Sequence, residues 1–157
     1  IYWKKSLDIA QKIGNEDSLG GILFNFGNHY LNLCNYDLSL EYYYKSLKIF
    51  EKLHTPIMLE VCYECISRIH LYMGNIDKAE IFAKKSFDYS KAAGNKRTIG
   101  HSLYDIGIVY MHKGNYEQAI KYLEQSVSVF KNIGLDKMTL ETNFMVENIT
   151  NIPRYYY

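Results

Sequence analysis

Cys62 and Cys65 are separated by two residues, a spacing shared by zinc-binding and redox-active cysteine pairs. A structural zinc ion needs four ligands, and the sequence has one further cysteine, Cys34, and no second pair. A redox thiol needs a lowered pKa, which a helix N-terminus can provide, whereas both cysteines lie in the middle of a predicted helix. We therefore expect Cys62 and Cys65 to be small buried residues.

His101 and His112 are the next residues that could do chemistry, since they share one face of a predicted helix. No carboxylate stands at ligand spacing beside them, so we expect no metal site. The sequence also lacks the glycine-rich phosphate-binding motifs and the Gly-x-Ser-x-Gly nucleophile motif. Acidic residues mostly stand beside lysines on predicted exposed positions, as at Asp77 and Lys78. We expect no catalytic residue and no cofactor, and the chain is predicted not to be an enzyme.

A run of three tyrosines, Tyr42, Tyr43 and Tyr44, could stack on nucleic-acid bases. Tyr42 and Tyr43 occupy predicted core positions, however, which leaves Tyr44 alone for such a role. The 157 residues include 18 basic and 17 acidic side chains, so the net charge of +1 offers no basic field for a polyanion. No apolar run approaches the ~20 residues of a membrane span, and no signal peptide opens the chain. We expect no nucleic-acid partner, no membrane partner and a cytoplasmic location.

The sequence repeats with a period of 40 residues. An asparagine followed two residues later by an acidic residue recurs at Asn35, Asn75 and Asn115. The same interval relates Ser6, Ser46, Ser86 and Ser126, and it relates the aromatic residues Tyr2, Tyr42, Phe82 and Tyr122. Agreement at so many registers indicates a repeat architecture.

Each period is predicted to form two antiparallel helices. The apolar residues have helical spacing, as at Leu103, Ile106 and Tyr110, and strand alternation is not sustained. Gly-Asn pairs separate these stretches, and a glycine just past a helix end suits a left-handed C-terminal cap. At one boundary His54-Thr55-Pro56 replaces the Gly-Asn pair, and Pro56 suits a first helical turn. The predicted helices lie near residues 1–13, 17–33, 36–53, 57–73, 76–93, 97–113, 116–133 and 137–149.

Small residues recur inside the helices, where glycine costs about 1 kcal/mol relative to alanine. Gly27, Ser67 and Gly107 are one period apart, and Ser39, Ala79 and Ala119 lie opposite them in the following helices. We expect these small residues to let the two backbones of each pair approach closely.

The unit formed by Gly107, Tyr110, Gly114-Asn115-Tyr116-Glu117, Ala119 and Leu123 resembles the tetratricopeptide repeat. The unit at 56–93 departs from this pattern, with Ser67 and His70 at the glycine and tyrosine positions. The period of 40 instead of 34 implies longer helices, similar to the repeats of kinesin light chains and bacterial quorum-sensing regulators. The implied fold is an all-α, right-handed superhelical solenoid of antiparallel helix pairs.

The resemblance also implies a concave groove lined by the first helix of each pair. The groove-facing positions transfer to Phe24, Asn28, Leu31, Glu64, Arg68, His101, Tyr104, Ile108, Phe144 and Asn148. Aromatic rings and asparagine amides suit a peptide ligand, because rings supply buried area and an amide both donates and accepts. The lysine and arginine residues with which co-chaperone relatives grip a C-terminal carboxylate are missing, so that type of clamp is not expected. Glu64 precedes Arg68 by one helical turn, so Glu64 could neutralise the charge of Arg68 as readily as an acidic group of a ligand could.

The expected organisation is one helical repeat domain at 1–150, a piece of a longer protein, followed by an irregular tail at 151–157. It comprises three full repeats with a half repeat at each end, and Trp3 and Leu7 belong to the first half repeat. The leading hypothesis is a regulatory scaffold that binds a protein or peptide ligand in its groove. The alternative is a structural spacer or homo-oligomerisation element, since exposed half repeats favour self-association.

Overall fold

Seven helices form the part of the chain that the structure, a computed structural model, describes: residues 5, 10, 12 and 14–151. They are α1 (Glu16–Asn32), α2 (Tyr36–Leu53), α3 (Pro56–Tyr72), α4 (Ile76–Ala93), α5 (Lys96–His112), α6 (Tyr116–Asn132) and α7 (Asp136–Thr150). Lys5, Ala10 and Lys12 are helical as well, whereas Trp3 and Leu7 of the predicted first half repeat lie outside the described residues. Within those residues, no helix is both long enough and apolar enough to cross a bilayer.

The turns between helices share one geometry. Each of the helices α1 to α6 is followed by a left-handed residue, with φ of +73° at Gly74 and Gly114 and +67° at Gly94. The next residue is usually asparagine, and except at Asn75 its side chain caps the following helix: Asn115 Oδ1 accepts the backbone N–H of Gln118 at 3.1 Å. Cys34 and His54 adopt the same left-handed conformation without being glycine, with φ of +55° and +52°. The turn predicted between the helices at 17–33 and 36–53 is confirmed, with Cys34 in the left-handed position that glycine holds in other turns.

Helices pair through the small residues that the sequence marks. Ser39 Oγ donates to the carbonyl oxygen of Gly27 at 2.7 Å, and Ser67 Oγ donates to that of Ala79 at 2.8 Å. A Cβ atom built on Gly107 would lie 2.7 Å from Leu123 Cγ. The expected close approach of paired backbones is therefore confirmed, and α1–α2, α3–α4 and α5–α6 are the three pairs.

The core continues from one pair to the next. Tyr43 and Phe50 of α2 are buried together with Cys62, Ile66 and Ile69 of α3. Because each helix contacts its neighbours along the chain, the pairs stack in sequence order. The predicted all-α solenoid of antiparallel helix pairs is confirmed, with α7 following the third pair.

Gly27 and Gly21 offer a matched test of this packing, because both lie in α1. A Cβ atom on Gly27 would lie 2.6 Å from the Tyr43 ring, whereas one on Gly21 meets nothing within 4 Å. We expect Gly27→Ala to lower the free energy of unfolding by about 1–3 kcal/mol through overpacking. Gly21→Ala should raise it by up to about 1 kcal/mol, since alanine favours the helix. Urea unfolding of both variants checks this, and equal effects would contradict the close contact at Gly27.

Candidate functional site

The candidate site is the face formed by α1, α3, α5 and α7, the first helices of successive pairs. From Phe24 to Ile108 the predicted groove residues are half-buried, as expected of side chains that line a surface depression. Asn148 is exposed, and Phe144 on α7 is 64% exposed. The face therefore runs from a half-buried end at α1 to an open end at α7.

Asn28 lies at the α1 end of this face, and its side chain is oriented by Tyr43 of α2. The Tyr43 hydroxyl donates to Asn28 Oδ1 at 2.6 Å, and the Tyr43 ring packs against Phe24 with 5.2 Å between centroids. Among the described residues, the Nδ2 group of Asn28 has no hydrogen-bond partner. The amide thus has a fixed orientation with both of its donor hydrogens available.

The middle of the face is charged. Arg68 forms an ion pair with Glu64 one turn earlier, which confirms that Glu64 can neutralise it. Asp105 of α5 lines the same small cavity of about 30 Å³ as Arg68 and Glu64. The pKa of Asp105 is raised to about 7, mainly by burial and additionally by the Glu64 carboxylate, whereas Arg68 opposes both effects. His101 packs edge-on against Phe130, with ring centroids 5.1 Å apart, and burial lowers its pKa.

The α7 end is apolar. The Tyr104 hydroxyl donates to Met145 Sδ at 3.2 Å and so connects α5 to α7. A cavity of about 510 Å³ opens beside this contact, and its lining is Met111, His112, Tyr116, Met145, Asn148 and Ile149. Asn148 is a predicted groove residue, whereas Phe144 is not among the lining residues. This cavity offers room for an apolar side chain.

Three sets of residues, each one period after the last, differ in chemistry along the face. Each set takes one residue from a first helix, one from its mate and one from the next first helix. The three sets are Asn28, Tyr43 and Cys65; Arg68, Ala83 and Asp105; and Ile108, Leu123 and Met145. The first set is polar and aromatic, the second is ionic and the third is apolar, so each third of the face has its own chemistry.

Two acidic residues are exceptions to the expectation that carboxylates mostly occupy exposed positions. Asp105 is half-buried in the cavity described above, and Glu60 is 3% exposed. Sequence reasoning missed both, although the aligned positions are informative: glycine stands at 20 and 100 where residue 60 is glutamate. The available signal was therefore a charged residue, Glu60, at a position where the other periods carry glycine.

The other sequence candidates lie in the core or at the surface. Cys62 and Cys65 are buried as expected, and burial raises their pKa values to about 12 and about 11, so both stay protonated thiols near neutral pH. Tyr43 is fully buried, and Tyr44 is 39% exposed but contacts His70 Nε2 through its hydroxyl at 3.3 Å. Over the residues described, histidine, cysteine and carboxylate side chains form no group of three that could hold a metal ion.

Comparisons with known proteins agree with this architecture. Residues 58–132 match the family model of the tetratricopeptide repeat. Response regulator aspartate phosphatase A of Bacillus subtilis (strain 168) is 22% identical over 139 residues, which are 88% of this chain and 37% of that protein. The crystal structure of aspartyl phosphate phosphatase F from Bacillus subtilis matches with a TM-score of 0.85 and 19% identity over 94% of this chain and 39% of that one. A Rap protein complexed with competence and sporulation factor matches with a TM-score of 0.80 and 16% identity over 94% of this chain and 41% of that one.

The chain thus spans less than half the length of each of these relatives. At such identities the likeness shows the fold, and the repeat type recognised in the sequence is confirmed.

Proposed function

Because residues 58–132 match the family model of the tetratricopeptide repeat, we propose that the chain binds a peptide segment along the face of α1, α3, α5 and α7. Helical repeats of this class generally act as non-catalytic scaffolds for protein or peptide partners. The orientation of Asn28 carries the proposal: its oxygen is held by Tyr43, and its Nδ2 hydrogens are directed to no protein acceptor among the described residues. An asparagine held in this way can donate to a main-chain carbonyl of an extended peptide.

The three chemistries of the face support a ligand that changes character along its length. Phe24 and Asn28 would hold an aromatic or aliphatic side chain and the peptide main chain. Glu64, Arg68 and His101 would contact polar groups in the middle, with Leu31 and Ile108 as apolar contacts between the thirds. The cavity beside Met145 would take an apolar side chain, and Tyr104 and Asn148 would lie at its edge. Phe144 would extend this apolar end.

A Rap protein that shares this fold has been seen complexed with competence and sporulation factor, which supports a ligand-binding role. We place the present chain as the ligand-binding repeat region of a larger cytoplasmic regulator. The name of the related Bacillus protein includes a phosphatase activity. We assign that activity to no residue of this chain, because the chain covers 37% of that protein.

Selection of random peptides displayed on phage tests the proposal, followed by calorimetric titration of the peptides selected. The informative variant is Asn28→Asp, which keeps an oxygen to accept from Tyr43 but removes the Nδ2 donors. We expect Asn28→Asp to weaken binding about ten- to a hundredfold, the loss of one or two hydrogen bonds plus repulsion of peptide carbonyls.

Gln125→Glu is the matched control, because it makes the same amide-to-acid change at an exposed position on α6. Equal affinity for wild type and Asn28→Asp would show that the peptide binds elsewhere. The alternative function, self-association, is favoured by Leu140 and Phe144 on α7, which are 69% and 64% exposed. A chain that selects no peptide and sediments as a dimer would support that alternative.

A further inference from the structure

The middle helix pair breaks a packing rule that the outer pairs obey. In the first pair, a Cβ atom on Gly20 of α1 would lie 2.8 Å from Phe50 Cζ of α2. In the third pair, a Cβ atom on Gly100 of α5 would lie 2.6 Å from Phe130 Cε1 of α6. At the equivalent positions of the middle pair stand Glu60 on α3 and Ser90 on α4. Position 90 of α4 thus carries no phenylalanine ring, and position 60 of α3 carries a carboxyl group where the outer pairs have glycine.

The hydrogen bonds of the middle pair differ as well. Ser46 Oγ donates to the carbonyl oxygen of Gly20 and Ser126 Oγ to that of Gly100, each at 2.8 Å. The equivalent Ser86 lies 3.4 Å from Ser102 Oγ instead, so it does not bridge α3 and α4. The middle pair therefore lacks the ring contact and this second serine bridge, and it keeps the hydrogen bond from Ser67 to Ala79.

Glu60 is 3% exposed, and within the described residues its carboxyl group has no hydrogen-bond or ion-pair partner, so its oxygens rely on a small contact with solvent. Burial raises the pKa of Glu60 to about 7, and the nearby Glu64 carboxylate adds to this effect. Glu60 in turn helps to raise the pKa of Asp105 on α5. Glu64 on α3 is the charged group that acts on Glu60. Other titratable or charged groups stand on the helices around it, among them Glu51 on α2, Arg68 and His70 on α3, Lys85 and Tyr89 on α4, and Arg97, His101 and Asp105 on α5.

We propose that the α3–α4 pair is a proton-sensitive joint of the solenoid: Glu60 packs between the helices when protonated, and its ionisation loosens α3 from α4 while the outer pairs stay closed. A carboxylate buried without a partner is costly, and the local way to hydrate it is to open the contact that encloses it. Glu64 and Arg68 lie on α3, so opening of the joint would also change the shape of the candidate face. The proposal concerns the free chain and does not depend on peptide binding.

The sign of the effect follows from linkage. Because the folded-state pKa of Glu60 lies above the ordinary carboxyl value, the stabilisation is complete at acid pH and is lost as the pH rises through about 7. Burial lowers the pKa values of His70 and His101, so these two groups act in the opposite direction at acid pH. A variant at position 60 is therefore needed to isolate the carboxyl group.

Amide hydrogen exchange of the 157-residue chain at pH 6 and pH 8, with each rate divided by its intrinsic rate, tests the joint. Glu60→Gln keeps the shape of the side chain and removes its titration. The opening constant of α3 and α4 is measured in wild type and in Glu60→Gln. We expect the ratio of the wild-type constant to the variant constant to rise about tenfold from pH 6 to pH 8 by linkage. Amides of α1, α2 and α6 should show no such rise.

Glu124→Gln, at an exposed position on α6, is the control and should behave as wild type. If Glu60→Gln folds poorly, Glu60→Gly combined with Ser90→Phe rebuilds the packing of the outer pairs and should show the same loss of pH dependence. A pH response that is equal in all three pairs, or that persists in these variants, would overturn the proposal.

Discussion

Replacing Tyr43 by alanine is expected to lower the free energy of unfolding by about 3–5 kcal/mol, the range for truncating a large buried aromatic side chain. Tyr43 is fully buried, its ring lies over Gly27, and its hydroxyl donates to Asn28. Truncation leaves a cavity at the contact of α1, α2 and α3. Urea or thermal unfolding measures the loss.

Tyr43→Leu and Tyr43→Phe are the controls that separate volume from hydrogen bonding. In the third pair Leu123 packs over Gly107, so leucine fits the equivalent position and Tyr43→Leu should cost about half as much as alanine or less. Tyr43→Phe should cost about 1 kcal/mol for the lost hydrogen bond. It should also weaken peptide binding, because Asn28 loses the bond that orients it. If Tyr43→Ala were as stable as Tyr43→Phe, the packing described for this position would be wrong.

The second large effect is expected where the middle pair departs from its neighbours. Ser90→Phe alone should lower the free energy of unfolding by about 1–3 kcal/mol, because the ring meets the Glu60 side chain. In Glu60→Gly combined with Ser90→Phe, the ring faces a glycine, as Phe50 faces Gly20 and Phe130 faces Gly100. At pH 8 the double variant should exceed wild type in stability by about 2 kcal/mol, since it buries a phenylalanine and removes a buried carboxyl group.

A double-mutant cycle gives the coupling between the two positions. We expect about 3 kcal/mol, at the upper end of the range for residues in direct contact. Glu124→Gly is the matched control for the helix propensity of glycine, because Glu124 is exposed on α6. Additive effects of the two substitutions would mean that residues 60 and 90 do not face each other.

The helices were predictable from the sequence to within about one residue at most ends. The expected helix at 97–113 is Lys96–His112, and the expected helix at 76–93 is Ile76–Ala93. Their boundaries are local, because a left-handed residue and an asparagine cap are decided by the turn itself. The turn between the first two helices was predicted as well, although Cys34 adopts the left-handed conformation there without being glycine.

The residues of the candidate face were predictable as positions, because a repeat of fixed period carries equivalent residues to equivalent places. The chemical environments of these residues were not predictable. Arg68 and Asp105 meet across two repeats at the cavity under the face, and Tyr104 reaches Met145 on α7. The environment of Asp105 depends on α3, nearly forty residues earlier, and no single helical period contains that information.

The sequence by itself determined the repeat, the seven described helices and their pairing, since each follows from helical spacing, small residues and turn residues within one period. The tertiary structure alone decided that Glu60 is buried and Asp105 half-buried, that Tyr43 orients Asn28 and that the α7 end is open. Burial and pKa depend on the side chains of neighbouring helices, because the free energy of a charge depends on everything that replaces its water.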